Sequence, residues 1–133
     1  MKMQIRRRET FCASHRLYNP ELSDAQNSDL YKKCATIHGH NYSLVIGISG
    51  TVRDDTGMII PFEDMKEVIG AVVDRFDHTY LNDHEYFKHR PTTVENVAQH
   101  IWALLADGFN HRVELEYLEL HETEKNSVVL TRS

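Results

Sequence analysis

Residues 40–52 alternate between apolar and polar side chains, and this alternation restricts the possible folds more than any other feature of the chain. Successive side chains of a β-strand point to opposite faces, so the apolar residues of this segment share one face. They are Tyr42, Leu44, Ile46 and Ile48. A strand with one apolar face needs a second layer that covers it, and helices can supply that layer.

Two segments carry apolar residues at helical spacing. The first begins after Pro61 and extends to Phe76. The second begins at Thr92–Glu95, which matches a capping box, and ends near Gly108. Residues 18–33 are polar and turn-prone, and they predict a loop with a single helical turn. Further strands are predicted over 3–13, 112–123 and 127–131.

The order strand, strand, helix, helix, strand, strand predicts an α+β fold, in which a four-stranded antiparallel sheet carries two helices on one face. The chain contains no linker and no repeat, so residues 1–133 are expected to form one domain. Four strands leave two sheet edges open, and open edges pair with other chains. We therefore expect an oligomer in which the sheets of several copies join into a barrel.

The composition argues against several classes of protein. A net charge of −5 disfavours binding to nucleic acid or to an anionic membrane, and Arg6–Arg8 is too short a basic run to change this. No apolar run approaches the length of a transmembrane span, and the N-terminus lacks the apolar core of a signal peptide. We expect a cytoplasmic protein in which Cys12 and Cys34 are reduced.

Histidines form the candidate site. His38 and His40 are two residues apart at the start of a predicted strand, so they face the same side. His15 lies at the end of the first predicted strand and reaches the same point if the first two strands pair. Three neutral imidazoles suit zinc and leave a fourth position for water or substrate, which is the catalytic arrangement. The alternative is a His-x-His pair that merely faces solvent.

Cys34 lies four residues before His38 and leaves two interpretations open. As a fourth ligand it would complete a closed, structural zinc site. As a thiolate beside the metal it could instead act as a base or a nucleophile. The spacing alone does not decide between these roles.

Six stretches are spread along nearly the whole chain: FCASHRLYNPELSD (11–24), CATIHGHNYSL (34–44), TGMII (56–60), FDHTYLND (76–83), PTTVENVAQHIW (91–102) and ELHETEKNSVVL (119–130). In these stretches, and in their order, the chain resembles the 6-pyruvoyltetrahydropterin synthase family, which includes the 6-carboxytetrahydropterin synthases. The resemblance implies the tunnelling fold, a four-stranded antiparallel sheet with two helices on one face. It also implies trimers whose sheets join into a barrel, hexamers made of two trimers, and active sites between subunits.

The resemblance implies roles for particular residues. The zinc ligands would be His15, His38 and His40. Cys34 would be the catalytic cysteine rather than a ligand, and Asp77 with His78 would be the pair that works with it. Glu122 would anchor the pterin ring, because a carboxylate accepts two adjacent N–H donors side by side. Two residues near the pterin pocket would be Thr93 and Glu95, although the predicted capping box alone explains the glutamate.

The family substrate is 7,8-dihydroneopterin triphosphate, and the resemblance allows two products. The Cys-x3-His spacing from Cys34 to His38 is typical of the carboxy enzymes, which release triphosphate and acetaldehyde and serve queuosine synthesis. The pyruvoyl enzymes usually have two more residues there and make 6-pyruvoyltetrahydropterin for tetrahydrobiopterin synthesis. The stretches ASHRLYNPELSD and KNSVVL look more like that second branch. We expect the carboxy product, with the pyruvoyl product as the alternative.

Other questions stay open at the level of sequence. The cations that would hold the triphosphate are not selected, and the candidates are Arg16, Lys32, Lys33 and Arg6–Arg8. A non-catalytic pterin- or metal-binding homologue and a structural zinc module are the two rival classes. The presence of Cys34, Asp77 and His78 together favours an enzyme, because a binding protein needs no proton-transfer groups.

Overall fold

The computed structural model describes all 133 residues and shows an α+β fold, as predicted. The strands are β1 (Gln4–His15), β2 (His38–Gly50), β3 (Thr79–Tyr80), β4 (Val113–His121) and β5 (Ser127–Thr131). The helices are α1 (Asp24–Tyr31), α2 (Phe62–Val73) and α3 (Val94–Gly108). None of the helices combines the length and the apolar character that crossing a membrane would require.

The sheet has the strand order β3-β1-β2-β4-β5. All neighbouring strands are antiparallel except β3, which pairs parallel to β1. The prediction of four antiparallel strands therefore needs a correction to five strands, because β3 contributes two residues opposite Ala13 and Ser14. A strand of two residues is too short to produce an alternating pattern in the sequence.

One face of the sheet carries the core. The four apolar residues of β2 are fully buried, as the alternation predicts: Tyr42, Leu44, Ile46 and Ile48. Helix α2 packs against β1, and α3 packs against β4 and β5. These two helices supply the buried residues of the second layer, among them Met65, Ile69, Val97 and Ile101. The opposite face of the sheet remains polar and charged along β1, where Arg6 and Arg8 are exposed.

Helix α1 is longer than the prediction, which placed a loop with a single helical turn over residues 18–33. It has no apolar stripe, and its only buried residue is Asn27. A capping box forms at its start, where the Ser23 hydroxyl accepts from the Gln26 amide and the Gln26 side chain accepts from the Ser23 amide. The Asn27 amide group donates to three backbone carbonyls that precede or begin the helix. Capping and this buried amide, rather than an apolar face, fix the helix in place.

The start of α3 is shifted by one residue from the prediction. Thr93, not Thr92, is the N-cap, and its hydroxyl accepts a hydrogen bond from the Asn96 amide. Glu95 is exposed and makes no hydrogen bond back to the cap, so the capping box predicted for Thr92–Glu95 is wrong. Thr92 is instead fully buried.

A cluster of aromatic rings joins the loop after α2 to helix α3. His100 of α3 stacks on Tyr86, with 3.9 Å between the ring centroids, and meets Phe76 and Phe87 edge-on. Burial, followed by the nearby His84, Arg75 and Arg90, lowers the pKa of His100 from 6.5 to about 4. The ring is therefore neutral in the folded protein at pH 7.

This burial predicts a specific loss of stability in acid. The unfolded chain takes up a proton on His100 near pH 6.5, whereas the folded chain resists protonation until about pH 4. Stability should therefore fall as the pH drops through this window. His100→Phe keeps a flat ring but cannot titrate, so urea unfolding should show a shallower decline than in the wild type.

The exposed His111 offers a matched control for this experiment. His111→Gln should follow the wild-type dependence of unfolding free energy on pH. If the free energy of unfolding depends on pH equally in His100→Phe and in the wild type, His100 is not the source of the stability lost in acid.

Candidate active site

Three histidines meet where the β1–β2 ladder ends. His15 pairs with His38, and His40 pairs with Ala13, so the three imidazoles emerge on the face that carries the core. One nitrogen of each ring lies within 4.8 Å of one nitrogen of each of the others. The ring centroids are 4.6 to 5.0 Å apart. The prediction that His15 joins His38 and His40 depended on pairing of the first two strands. That pairing is present, and it brings all three predicted ligands together.

Backbone carbonyls fix the orientation of two of these rings. His15 Nδ1 donates to the Thr92 carbonyl at 2.9 Å, and His38 Nδ1 donates to the Thr36 carbonyl at 2.7 Å. A carbonyl only accepts, so the proton stays on Nδ1 and the Nε2 lone pair is left free. Carbonyl partners of this kind are typical of histidines that bind metals through the other nitrogen.

The free nitrogens have the properties that a metal requires. His15 Nε2 and His40 Nε2 are buried without a hydrogen-bond partner, which is costly unless another group satisfies them. Burial lowers the pKa of His15 to about 4, and burial also lowers the pKa of His40. Both rings are therefore neutral at pH 7, the form that coordinates metal. Three imidazoles in this arrangement fit zinc with one position open.

Glu122 lies beside this histidine cluster. It directly follows β4, and its two carboxylate oxygens are each 3.9 Å from a free imidazole nitrogen, one on His15 and one on His40. These contacts are not ion pairs, because burial keeps the two rings neutral. The carboxylate is partly exposed and can accept hydrogen bonds from a bound molecule.

Tyr42 is a site residue that the sequence analysis assigned only to the core. Its ring is fully buried against Phe11, and its hydroxyl is buried without a partner. The ring centroid lies 5.6 Å from that of His40. Burial, followed by the nearby Glu122 carboxylate, raises the pKa of the Tyr42 hydroxyl, so the group remains a neutral donor. In the sequence Tyr42 is one of the alternating apolar residues of the strand, so it cannot be distinguished from a tyrosine that serves only the core.

Cys34 lies in a 3-10 turn, Lys32–Ala35, just before β2. Its carbonyl accepts from the Leu17 amide at 2.6 Å, which ties the turn to the chain just after His15. The thiol is exposed, and its sulfur does not belong to the group of clustered ligand atoms. The geometry thus favours a free thiol near the histidines over a fourth ligand.

Asp77 and His78 lie at the opposite edge of β1. An Asp77 carboxylate oxygen accepts from the Cys12 amide at 2.9 Å and lies 3.0 Å from His78 Nδ1. The Cys12 amide, more than His78, holds the pKa of the Asp77 carboxyl below its usual range. The His78 side chain is 81% exposed. No hydrogen bond joins this pair to Cys34 within one chain.

The two remaining predicted residues do not contact the histidines. Thr93 caps α3, and Glu95 is exposed. The neighbouring Thr92 is the threonine that supports the site, through its carbonyl to His15 and through its hydroxyl to the Arg16 carbonyl. Sequence analysis missed this residue because its contact with the imidazole runs through the backbone.

Comparison with known proteins identifies the family. A family model described as 6-pyruvoyl tetrahydropterin synthase matches residues 4–133. The chain belongs to this family. A 6-pyruvoyl tetrahydrobiopterin synthase of Drosophila melanogaster is 41% identical over 93% of this chain and 76% of the relative. The solved structure of Caenorhabditis elegans 6-pyruvoyl tetrahydropterin synthase is 32% identical, with a TM-score of 0.91 over 100% of this chain and 97% of that chain.

The comparisons also bear on the expected product. A putative 6-carboxy-5,6,7,8-tetrahydropterin synthase of Archaeoglobus fulgidus is 41% identical over 68% of this chain and 76% of the relative. The Drosophila protein reaches the same identity over a longer part of the chain. The resemblance to the 6-pyruvoyl tetrahydropterin synthase family is confirmed, but the relatives fit the pyruvoyl alternative better than the carboxy product that the Cys-to-His spacing predicted.

The site geometry predicts which side chains hold metal. His38→Ala and His40→Ala should each lose zinc, with a decrease in affinity beyond the ~10–100-fold typical of changes outside the ligand set. Cys34→Ala should retain zinc, because its sulfur lies outside the ligand group. The zinc content of dialysed protein, measured by mass spectrometry, tests both statements. His89→Ala, an exposed histidine, is the control. Equal zinc loss in Cys34→Ala and His38→Ala would show that the cysteine is a ligand.

Proposed function

We propose that the protein is a 6-pyruvoyltetrahydropterin synthase, which converts 7,8-dihydroneopterin triphosphate to 6-pyruvoyltetrahydropterin and inorganic triphosphate in tetrahydrobiopterin synthesis. The main support is the cluster of His15, His38 and His40, with two buried and unpartnered nitrogens facing Glu122. The second support is the pyruvoyl name of relatives that match most of the chain.

Zinc is the metal that this proposal assigns to the three histidines. Bound there, zinc would supply a Lewis acid that polarises the hydroxyls of the substrate side chain and acidifies the adjacent C–H bonds. The protein keeps the His15 and His40 imidazoles neutral by burial, and the Thr92 and Thr36 carbonyls orient those of His15 and His38. Preorganisation of this kind removes the cost of arranging ligands during the reaction.

Glu122 is assigned to the pterin ring. The pyrimidine edge of the ring presents adjacent N–H donors, and the two carboxylate oxygens can accept them as a charge-assisted pair. Because these oxygens lie 3.9 Å from His15 and His40, a ring held there has its side chain next to the histidine cluster. The buried Tyr42 hydroxyl is a further donor beside this position.

Cys34 is assigned to proton transfer along the substrate side chain. As a thiolate it removes a proton from one carbon of the substrate side chain and delivers a proton to another position on the substrate. The Asp77 carboxylate stabilises the protonated form of the His78 imidazole. The pterin ring gains the electrons that the side chain loses, so no external oxidant or reductant is needed. Loss of the triphosphate then completes the reaction.

The catalytic pair is proposed to act on a neighbouring subunit. Within one chain Asp77 and His78 lie along the outer edge of β1, whereas Cys34 lies before β2 on the other side of that strand. Most of the outer edge of β1 has no strand partner, since β3 covers only Ala13 and Ser14. A trimer in which this edge pairs with the β5 edge of the next copy, and a hexamer of two trimers, would bring His78 of one copy to a site completed by the Cys34 of another.

Mixing two inactive variants tests this arrangement. Cys34→Ala and His78→Ala should each be inactive alone. If the active site is shared, unfolding and refolding them together should restore part of the activity, because some sites combine an intact Cys34 with an intact His78. A mixture of Cys34→Ala with the double variant Cys34→Ala/His78→Ala is the matched control and should stay inactive. Failure of the first mixture to recover activity would place both residues in the same subunit's site.

The carboxy product is the second candidate, because one observation favours it. Only three residues separate Cys34 from His38, and this short spacing is typical of the carboxy enzymes. A change of two residues moves a thiol by several ångströms along the chain, so it can alter which proton is removed.

Product analysis decides between the candidates. Zinc-loaded protein is incubated with 7,8-dihydroneopterin triphosphate, the pterins are identified by mass spectrometry, and acetaldehyde is assayed in parallel. We expect 6-pyruvoyltetrahydropterin and inorganic triphosphate without acetaldehyde, and no turnover with Cys34→Ala. Acetaldehyde with 6-carboxytetrahydropterin would assign the protein to the queuosine branch. Binding without release of triphosphate would instead support a non-catalytic homologue.

A further inference from the structure

We propose that a cavity beside the histidine cluster holds the triphosphate group of the substrate, with Arg16 and Lys32 as its cationic ligands. The proposal rests on the proposed function, which supplies the triphosphate. The cavity measures about 340 Å³ and lies between α1, the turn that carries Cys34 and the segment after β1. This volume falls within the range of small-ligand sites, roughly 300–1,000 Å³.

The cavity is next to the metal-binding residues. Arg16 directly follows His15, and Thr36, also in the cavity wall, holds the His38 ring through its carbonyl. Cys34 belongs to the turn that forms one side of the cavity. A substrate whose side-chain carbons lie at the histidines therefore has its terminal phosphates within reach of this cavity.

Arg16 is fixed in position without being neutralised. Asn82 clamps its backbone, accepting from the Arg16 amide at 3.0 Å and donating to the Arg16 carbonyl at 2.9 Å. The guanidinium lies 4.1 Å from the centroid of the Tyr18 ring, and no carboxylate lies within ion-pairing distance of it. Tyr18 is itself held by Asp24, the only acidic residue of the cavity wall. A guanidinium oriented on an aromatic ring keeps its donors available for phosphate oxygens.

Lys32 stands in a backbone conformation that lysine rarely adopts. Its φ of 53° and ψ of −123° lie where glycine is favoured, and the residue ends helix α1. Strained residues of this kind persist where surrounding structure or function requires them. Its ammonium group has no carboxylate partner, and its side chain lines the cavity. The adjacent Lys33 does not line it, which makes Lys33 a natural comparison.

The other basic candidates are already engaged elsewhere. Arg7 forms an ion pair with Glu9 at 2.7 Å. Arg6 donates to the Gln4 side chain, and Arg8 donates to the Ser43 hydroxyl. Arg6 and Arg8 also point to the face of the sheet opposite the histidines, because they alternate with the buried residues of β1. Arg16 and Lys32 are therefore the cations that the fold directs toward the site.

Binding of inorganic triphosphate to zinc-loaded protein, measured by calorimetry, tests the assignment. Arg16→Gln removes one charge, and Lys32→Gly removes the other while introducing the residue that the backbone conformation favours, so this second variant should fold. We expect each to weaken triphosphate binding by about tenfold or more, the usual effect of losing a charge-assisted contact. Lys33→Ala, with the same loss of charge outside the cavity, should bind as the wild type does.

The outcomes separate this proposal from the proposed function. If the wild type does not bind inorganic triphosphate, or if Arg16→Gln and Lys32→Gly bind it unchanged, the cavity assignment is overturned. Turnover of 7,8-dihydroneopterin triphosphate by the wild type would leave the proposed function intact in either case. If both variants weaken binding but the wild type forms no pterin product, the anion site stands and the proposed function fails. In an active enzyme, both variants should raise KM while binding of unphosphorylated 7,8-dihydroneopterin is unchanged.

Discussion

The register between β1 and β2 is the constraint on which the site depends. Pairing of His15 with His38 places three imidazoles on one face at the end of the ladder. A slip of one residue would turn the ring of His15 away from the other two, because strand side chains alternate between faces. The buried residues of β2 resist such a slip, since it would expose Leu44, Ile46 and Ile48 to water. The same apolar alternation that builds the core therefore also fixes the ligands.

Much of this arrangement could be predicted from the sequence, because it follows from local periodicity. The alternation of β2 and the spacing of His38 and His40 predict both the buried face and the shared direction of the two rings. The apolar stripes predict α2 and α3. Each of these patterns reports on a structure whose repeat is only a few residues long.

The remainder depends on contacts that leave little trace in the sequence. The Thr92 and Thr36 carbonyls orient two histidines, and any residue at those positions offers a carbonyl. Helix α1 lacks an apolar stripe, and the only feature of the sequence that indicates it is the capping-box spacing of Ser23 and Gln26. The strand order places Asp77 and His78 along the outer edge of β1, and a pattern in the sequence does not report which strands lie at a sheet edge.

X-ray absorption at the zinc edge tests the central claim most directly, namely that three imidazoles hold the metal while the thiol stays free for chemistry. The account predicts nitrogen and oxygen neighbours at about 2.0–2.1 Å, multiple scattering from three imidazole rings and no sulfur. A sulfur neighbour at about 2.3 Å would contradict it, because Cys34 would then complete a closed zinc site and could not act as the proposed proton carrier.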